Sequence, residues 1–93
     1  MSLTILFGNK PIIRAWDFMI GNHPLDWSVL NVSKEAHIHY SYMFRKWEQW
    51  KKLGLIKFTR KVGKSNLYHL NEENKIVKQI MSIHKELVNR GSQ

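Results

Sequence analysis

At Gly54 the hydrophobic pattern of this 93-residue chain changes its period, and that change restricts the fold more than any other feature. Upstream, Met43, Trp47, Trp50 and Leu53 recur at spacings of three and four, which predicts one face of a helix over residues 40–53. Gly54 ends it, because a residue without Cβ takes the left-handed conformation that closes a helix at little steric cost. Downstream the spacing falls to two. LIKFTR over 55–60 alternates imperfectly and includes β-branched Ile56 and Thr59, while NLYHL over 66–70 alternates cleanly. Between them, KVGKS over 61–65 is a basic turn around a glycine. A helix that runs into a β-hairpin with a charged tip makes this an α+β chain. Its length fits one domain, 1–93.

The rest of the chain is helical in pattern. Asn9 is a candidate cap and Pro11 suits a first turn, where a backbone N–H has no intrahelical partner. Ile12, Ile13, Trp16, Met19 and Ile20 follow as one apolar stripe, ended by Gly21-Asn22 and Pro24. Met1-Ser2-Leu3 is given no structural role. Residues 23–28 read as a connector with a stub of strand near Leu25 or Trp27. Val29, Val32 and Ala36 mark a second helix, broken by His37-Ile38-His39, after which the helix over 40–53 begins. Two helices joined by a three-residue turn have the layout of a helix-turn-helix. After the hairpin, Asn71 or Asn74 caps a long helix, with Glu72 and Glu73 near its positive end. That helix carries two apolar stripes. One is Ile76, Ile80, Ile83 and Leu87, and its neighbour is Val77, Met81, His84 and Val88. One stripe covers the domain, which leaves Val77, Met81, His84 and Val88 as the expected dimerisation contact. The expected layout is therefore a winged helix-turn-helix with a three-helix core, a β-hairpin wing and a long C-terminal helix. On this layout residues 1–71 are expected to form the core with its wing, and residues 72–93 the dimerisation helix.

Composition and charge narrow the function. Without cysteine there is no disulfide, thiolate zinc site or cysteine nucleophile. No apolar run approaches the ~20 residues of a membrane span, and no signal pattern opens the chain, so the expectation is a soluble, cytoplasmic protein. Asp17, Asp26, Glu35 and Glu48 fall on separate elements with no nucleophile motif and no phosphate-cradling glycine loop, so neither catalysis nor a cofactor is expected. Nor is a small-molecule ligand evident. His37 and His39 lack the further ligands a metal would need, although imidazoles beside a binding face can titrate near neutral pH. Of the net charge of +8, +7 lies in residues 45–64, where Arg45, Lys46, Lys51, Lys52, Lys57, Arg60, Lys61 and Lys64 face only Glu48. Charge so localised is a footprint for a polyanion.

Three segments carry a resemblance that covers nearly the whole chain. LFGNKPIIRAWDFMI (6–20), LGLIKFTRKVGKSNLYHLN (53–71) and ENKIVK (73–78) resemble the small archaeal winged-helix transcriptional regulators. The resemblance implies a DNA-binding regulator, usually a homodimer. The chain departs from that family in its turn, where His37 stands in place of the usual Gly and His39 in place of a Ser or Thr cap.

A helix-turn-helix sends the N-terminal part of its second helix into the major groove. On that placement Met43, Trp47 and Trp50 are core, and Ile38 fills the inward position of the turn. His39, Tyr40, Ser41, Phe44 and Arg45 face the double-stranded DNA, and Tyr42 stands at the boundary with its hydroxyl toward a phosphate. Arg45 suits guanine O6 and N7 or a phosphate, Ser41 a base or a phosphate, and Tyr40 and Phe44 thymine methyl groups. In the wing, Arg60, Lys61, Lys64 and Ser65 meet the backbone or the minor groove. Two other readings keep the same scaffold. One is a protein–protein interaction module that uses the aromatic helix face, and the other a structured-RNA binder that uses the basic strip.

Overall fold

The computed structural model of the protein describes residues 2–91. The element order is α1 (Leu3–Phe7), α2 (Pro11–Gly21), α3 (Val29–Glu35), α4 (Tyr40–Lys52), β1 (Ile56–Val62), β2 (Ser65–Leu70) and α5 (Lys75–Gly91). Helices α2, α3 and α4 surround a core in which Ala15, Met19, Val32, Met43 and Trp47 are almost completely enclosed. Trp16 and Trp50 meet at 4.9 Å between ring centroids, and Trp47 continues the stack to Trp50 at 5.9 Å. Two tryptophans one helical turn apart on α4 thus fix that helix against both α2 and the sheet.

Both helices of the helix-turn-helix end in the same way. At the end of α4 the Leu55 N–H donates to the Trp50 carbonyl at 2.9 Å and the Gly54 N–H to the Lys51 carbonyl at 3.1 Å, with Gly54 at φ +72°. At the end of α3 the Ile38 N–H donates to the Ser33 carbonyl at 2.8 Å and the His37 N–H to the Lys34 carbonyl at 3.3 Å, with His37 at φ +56°. Each is a Schellman closure, which needs a left-handed residue just past the helix. His37 holds this conformation without being glycine. Arg14 braces it from α2, where its guanidinium donates to the carbonyls of Ala36 (2.8 Å) and His37 (3.0 Å).

The wing is a two-stranded antiparallel hairpin, with an irregularity between Phe58 and Arg60 that leaves Thr59 without a cross-strand partner. Its strands extend further than the alternation indicates. Lys61, Val62 and Ser65 are paired, and the turn is only Gly63-Lys64, with Gly63 at φ +60°. A stub of strand does form at Trp27, which exchanges backbone hydrogen bonds with Tyr68. Asn74 joins the wing to α5. Its Oδ1 accepts from the N–H groups of Ile76 and Val77, while its Nδ2 donates to the carbonyls of Leu53 and Gly54. One side chain caps the start of α5 and satisfies the end of α4.

Several expectations need correction. Leu3 is 2% exposed and belongs to the core. Asn9 does not cap α2; Lys10 stands at that position, and the Asn9 side chain instead accepts from Arg14. Leu53 lies outside the buried face of α4 at 60% exposure, because the helix closes at that residue and turns it outward. On α5 the two stripes do not separate into a core line and a partner line. Val77 is wholly buried, so it has no surface to offer a partner, and Met81 packs partly against the core. His84 turns inward to within 3.6 Å of the buried Asp17 carboxylate. Val88, Ile76 and Ile83 remain exposed. Residues 1, 92 and 93, at the ends of the expected domain and its last helix, lie outside the described residues.

Candidate nucleic-acid interface

Helix α4 presents three sides. Met43, Trp47 and Trp50 face inward. Ser41 and Arg45, one turn apart, lie on an open side, and no acidic group among the described residues pairs with Arg45. Tyr40 and Phe44, also one turn apart, stand nearer the wing with ring centroids 6.0 Å apart. Tyr42 is half-buried, and the Lys46 ammonium lies 5.6 Å from its ring centre. His39 occupies the N-cap position but makes no side-chain cap; its Nδ1 is 2.9 Å from the Ser41 hydroxyl. The first-turn N–H groups of α4 are therefore not closed off by the residue that precedes them.

The basic groups divide into engaged and open. Lys51 is held by Glu48 at 3.0 Å, a hydrogen bond that raises the pKa of its ammonium. Arg60 is held more firmly. Its Nε and Nη2 donate to the two oxygens of Asp26 at 2.9 and 3.3 Å, and the Thr59 hydroxyl donates to the same carboxylate. The Arg60 guanidinium, then the Thr59 hydroxyl, pull the Asp26 pKa from 3.8 down to about 2. This pairing ties the wing to the connector before α3 and offsets much of the positive field of Arg60 there. Lys61 and Lys64 are exposed near the hairpin tip and make no ion pair among the described residues. Ser65 is exposed beside them.

Between α4 and the wing lies a groove of about 370 Å³. It is lined by Tyr40, Phe44 and Trp47 of α4, by Lys64, Asn66 and Tyr68 of the wing, and by Ser28, Val29 and Leu30 at the start of α3. Trp47 and Tyr68 meet edge to face at 5.8 Å. The sequence points to Tyr40, Phe44, Lys64 and Ser65 as a binding face, and no pattern in it gives Asp26, Tyr68 or Asn66 a role there. Tyr68 is separated from α4 by the hairpin turn, and Asp26 lies 34 residues before Arg60, so no local pattern joins them.

Three helices, a helix-turn-helix closed by two Schellman motifs and a basic hairpin define a winged helix-turn-helix fold. Solved structures share it. A double mutant of Lactococcus lactis ZitR superposes with a TM-score of 0.62 at 12% identity, over 85% of this chain and 56% of that one. The same mutant in apo form gives 0.65 at 12% identity, over 97% and 70%. The antimony-specific transcriptional repressor AntR gives 0.64 at 10% identity, over 98% and 80%. This chain thus spans little more than half of one of these structures. Neither the family models nor the curated protein sequences match it. Among the described residues no helix is long and apolar enough to cross a membrane, and no group of three or more His, Asp or Glu is placed to hold a metal ion.

Proposed function

We propose that the protein is a transcriptional regulator that binds double-stranded DNA as a homodimer, in keeping with the archaeal regulators its sequence resembles and with the repressor AntR. The observation that carries this reading is that Ser41 and Arg45 on the open side of α4, and Lys61 and Lys64 of the wing, are exposed, and that none of these three basic groups is in an ion pair among the described residues. Arg45 and Ser41 enter the major groove, where guanidinium and hydroxyl groups meet base edges or phosphates. The wing lysines rest on the backbone beside it. Arg60 adds less than its charge suggests, because Asp26 already neutralises it.

Fluorescence anisotropy with duplex DNA at increasing salt tests the reading. Affinity falls steeply with salt because each neutralised phosphate releases counterions. Lys61→Ala with Lys64→Ala reduces the slope by about two units if both lysines touch phosphate. An unchanged slope removes the wing from the interface. Equal or tighter binding to duplex RNA moves the protein to the RNA-binding reading.

A further inference from the structure

A base-paired duplex offers the edges of its bases to a protein, because their faces are stacked on one another. The groove beside α4 offers a different chemistry, since the rings of Tyr40, Phe44 and Tyr68 are among its lining. Tyr40 and Phe44 are 46% and 44% exposed, and their rings are tilted by only 32° from one another. Tyr68 also lines the groove, with the Lys51 ammonium 5.7 Å from its ring centre. Lys64 stands on the wing side with Asn66 next to it along β2. From these residues we infer that the groove accepts one unstacked nucleobase from a distorted or partly single-stranded DNA site, held face-on by Phe44 and Tyr40 with its phosphate on Lys64.

The occupant this chemistry selects is flat, π-faced and anionic at its edge. Aromatic platforms flanked by cations bind single-stranded nucleic acid in this way, and with little regard to base identity, because every base has a π-face. Glu48 and Asn66 can meet the polar edge of the base, and a volume of about 370 Å³ is ample for one. The charge of +7 over residues 45–64 favours a nucleic acid over an acidic or neutral peptide. The inference rests on the nucleic-acid reading above and assigns a preferred substrate to it.

The test uses the whole chain and three DNAs of equal length: a perfect duplex, a duplex with a one-nucleotide bulge, and the same bulge with an abasic site. The two bulged DNAs share phosphate count and chain length and differ in the base. The base-bearing bulge is expected to bind about tenfold tighter than the abasic one, on the order of one base–aromatic stack. Phe44→Ala and Tyr40→Ala, both at exposed positions, bring that ratio close to one. Equal affinity for the two bulges, with salt-dependent binding intact, overturns the groove assignment and leaves duplex recognition standing. A ratio that survives both substitutions places the base elsewhere. Absence of salt-dependent binding to any of the three DNAs overturns the DNA reading itself and gives the aromatic face to a protein partner.

Discussion

Asp26 and Arg60 show how much a single ion pair changes the reading of a charged face. Counted along the sequence, Arg60 belongs with the phosphate-binding lysines, yet two of its three donor nitrogens are directed at one carboxylate. The pair sits at the surface, with the arginine side chain 65% exposed, so its effect on stability is modest and screened by salt. Its pH dependence is nevertheless specific. The folded protein holds the Asp26 pKa at about 2 against 3.8 for the free group, so the unfolded chain binds the proton more readily. The stabilisation is fully present above 3.8 and is lost as pH falls through about 2. Asp26→Asn is expected to lower the denaturant midpoint near neutral pH and to approach the wild type near pH 2. A constant gap across that range shows that Asp26 acts through packing or hydrogen bonding alone. The same substitution frees Arg60 and is expected to tighten DNA binding slightly at low salt.

At the scale of elements, what could be read in the sequence depended on length and locality. The stripe of α2, the tryptophans of α4 and the alternation around a basic turn all signal themselves within one element, and each formed. Helix α1 gave no such signal. Five residues cannot hold a helix on their own, because nucleation costs more than so few hydrogen bonds return. It forms because the buried Asp17 carboxylate, on α2, accepts the N–H groups of Leu3 (2.8 Å) and Thr4 (3.3 Å). A carboxylate at the positive end of a helix suits its dipole, but here it comes from 14 residues away. His84 of α5 completes the cluster. Burial lowers its pKa, against the opposing pull of Asp17. The buried line of α5 is hidden in the sequence for a related reason. Two adjacent stripes look equivalent in sequence, and only the position of α1 and α2 decides which side chains point inward. If α1 is part of the core, Leu3→Ala should destabilise the protein by about 2–5 kcal/mol, the range for a leucine removed from a packed interior. Thermal or denaturant unfolding checks this, and a loss below half a kcal/mol or so would mean that α1 is only a loosely attached segment.

For the whole molecule, the question is which surface a second copy would cover. Helix α5 places Ile83 beside Leu6 of α1 around a shallow depression of about 320 Å³ that also includes Leu87. Ile5, Leu6 and Phe7 are 74%, 56% and 48% exposed. The proposed dimer surface therefore moves from the stripe that includes Val77 and His84 to the one shared by α1 and the outer side of α5. Apolar area buried there contributes roughly 25 cal/mol per Å², and a small domain has few other means of adding stability. A dimer that reads two half-sites needs its two α4 helices about 34 Å apart, one turn of DNA, and so calls for a palindromic site. Leu6→Glu with Ile83→Glu is expected to split the dimer and to weaken binding to a palindrome well beyond its effect on a half-site, while far-ultraviolet circular dichroism stays unchanged. Met81→Glu makes the contrasting case: it inserts a charge against the core and should reduce helix content as well. Sedimentation decides between them. A wild-type protein that remains monomeric at micromolar concentration, with DNA or without it, overturns the dimer and confines each molecule to a single half-site.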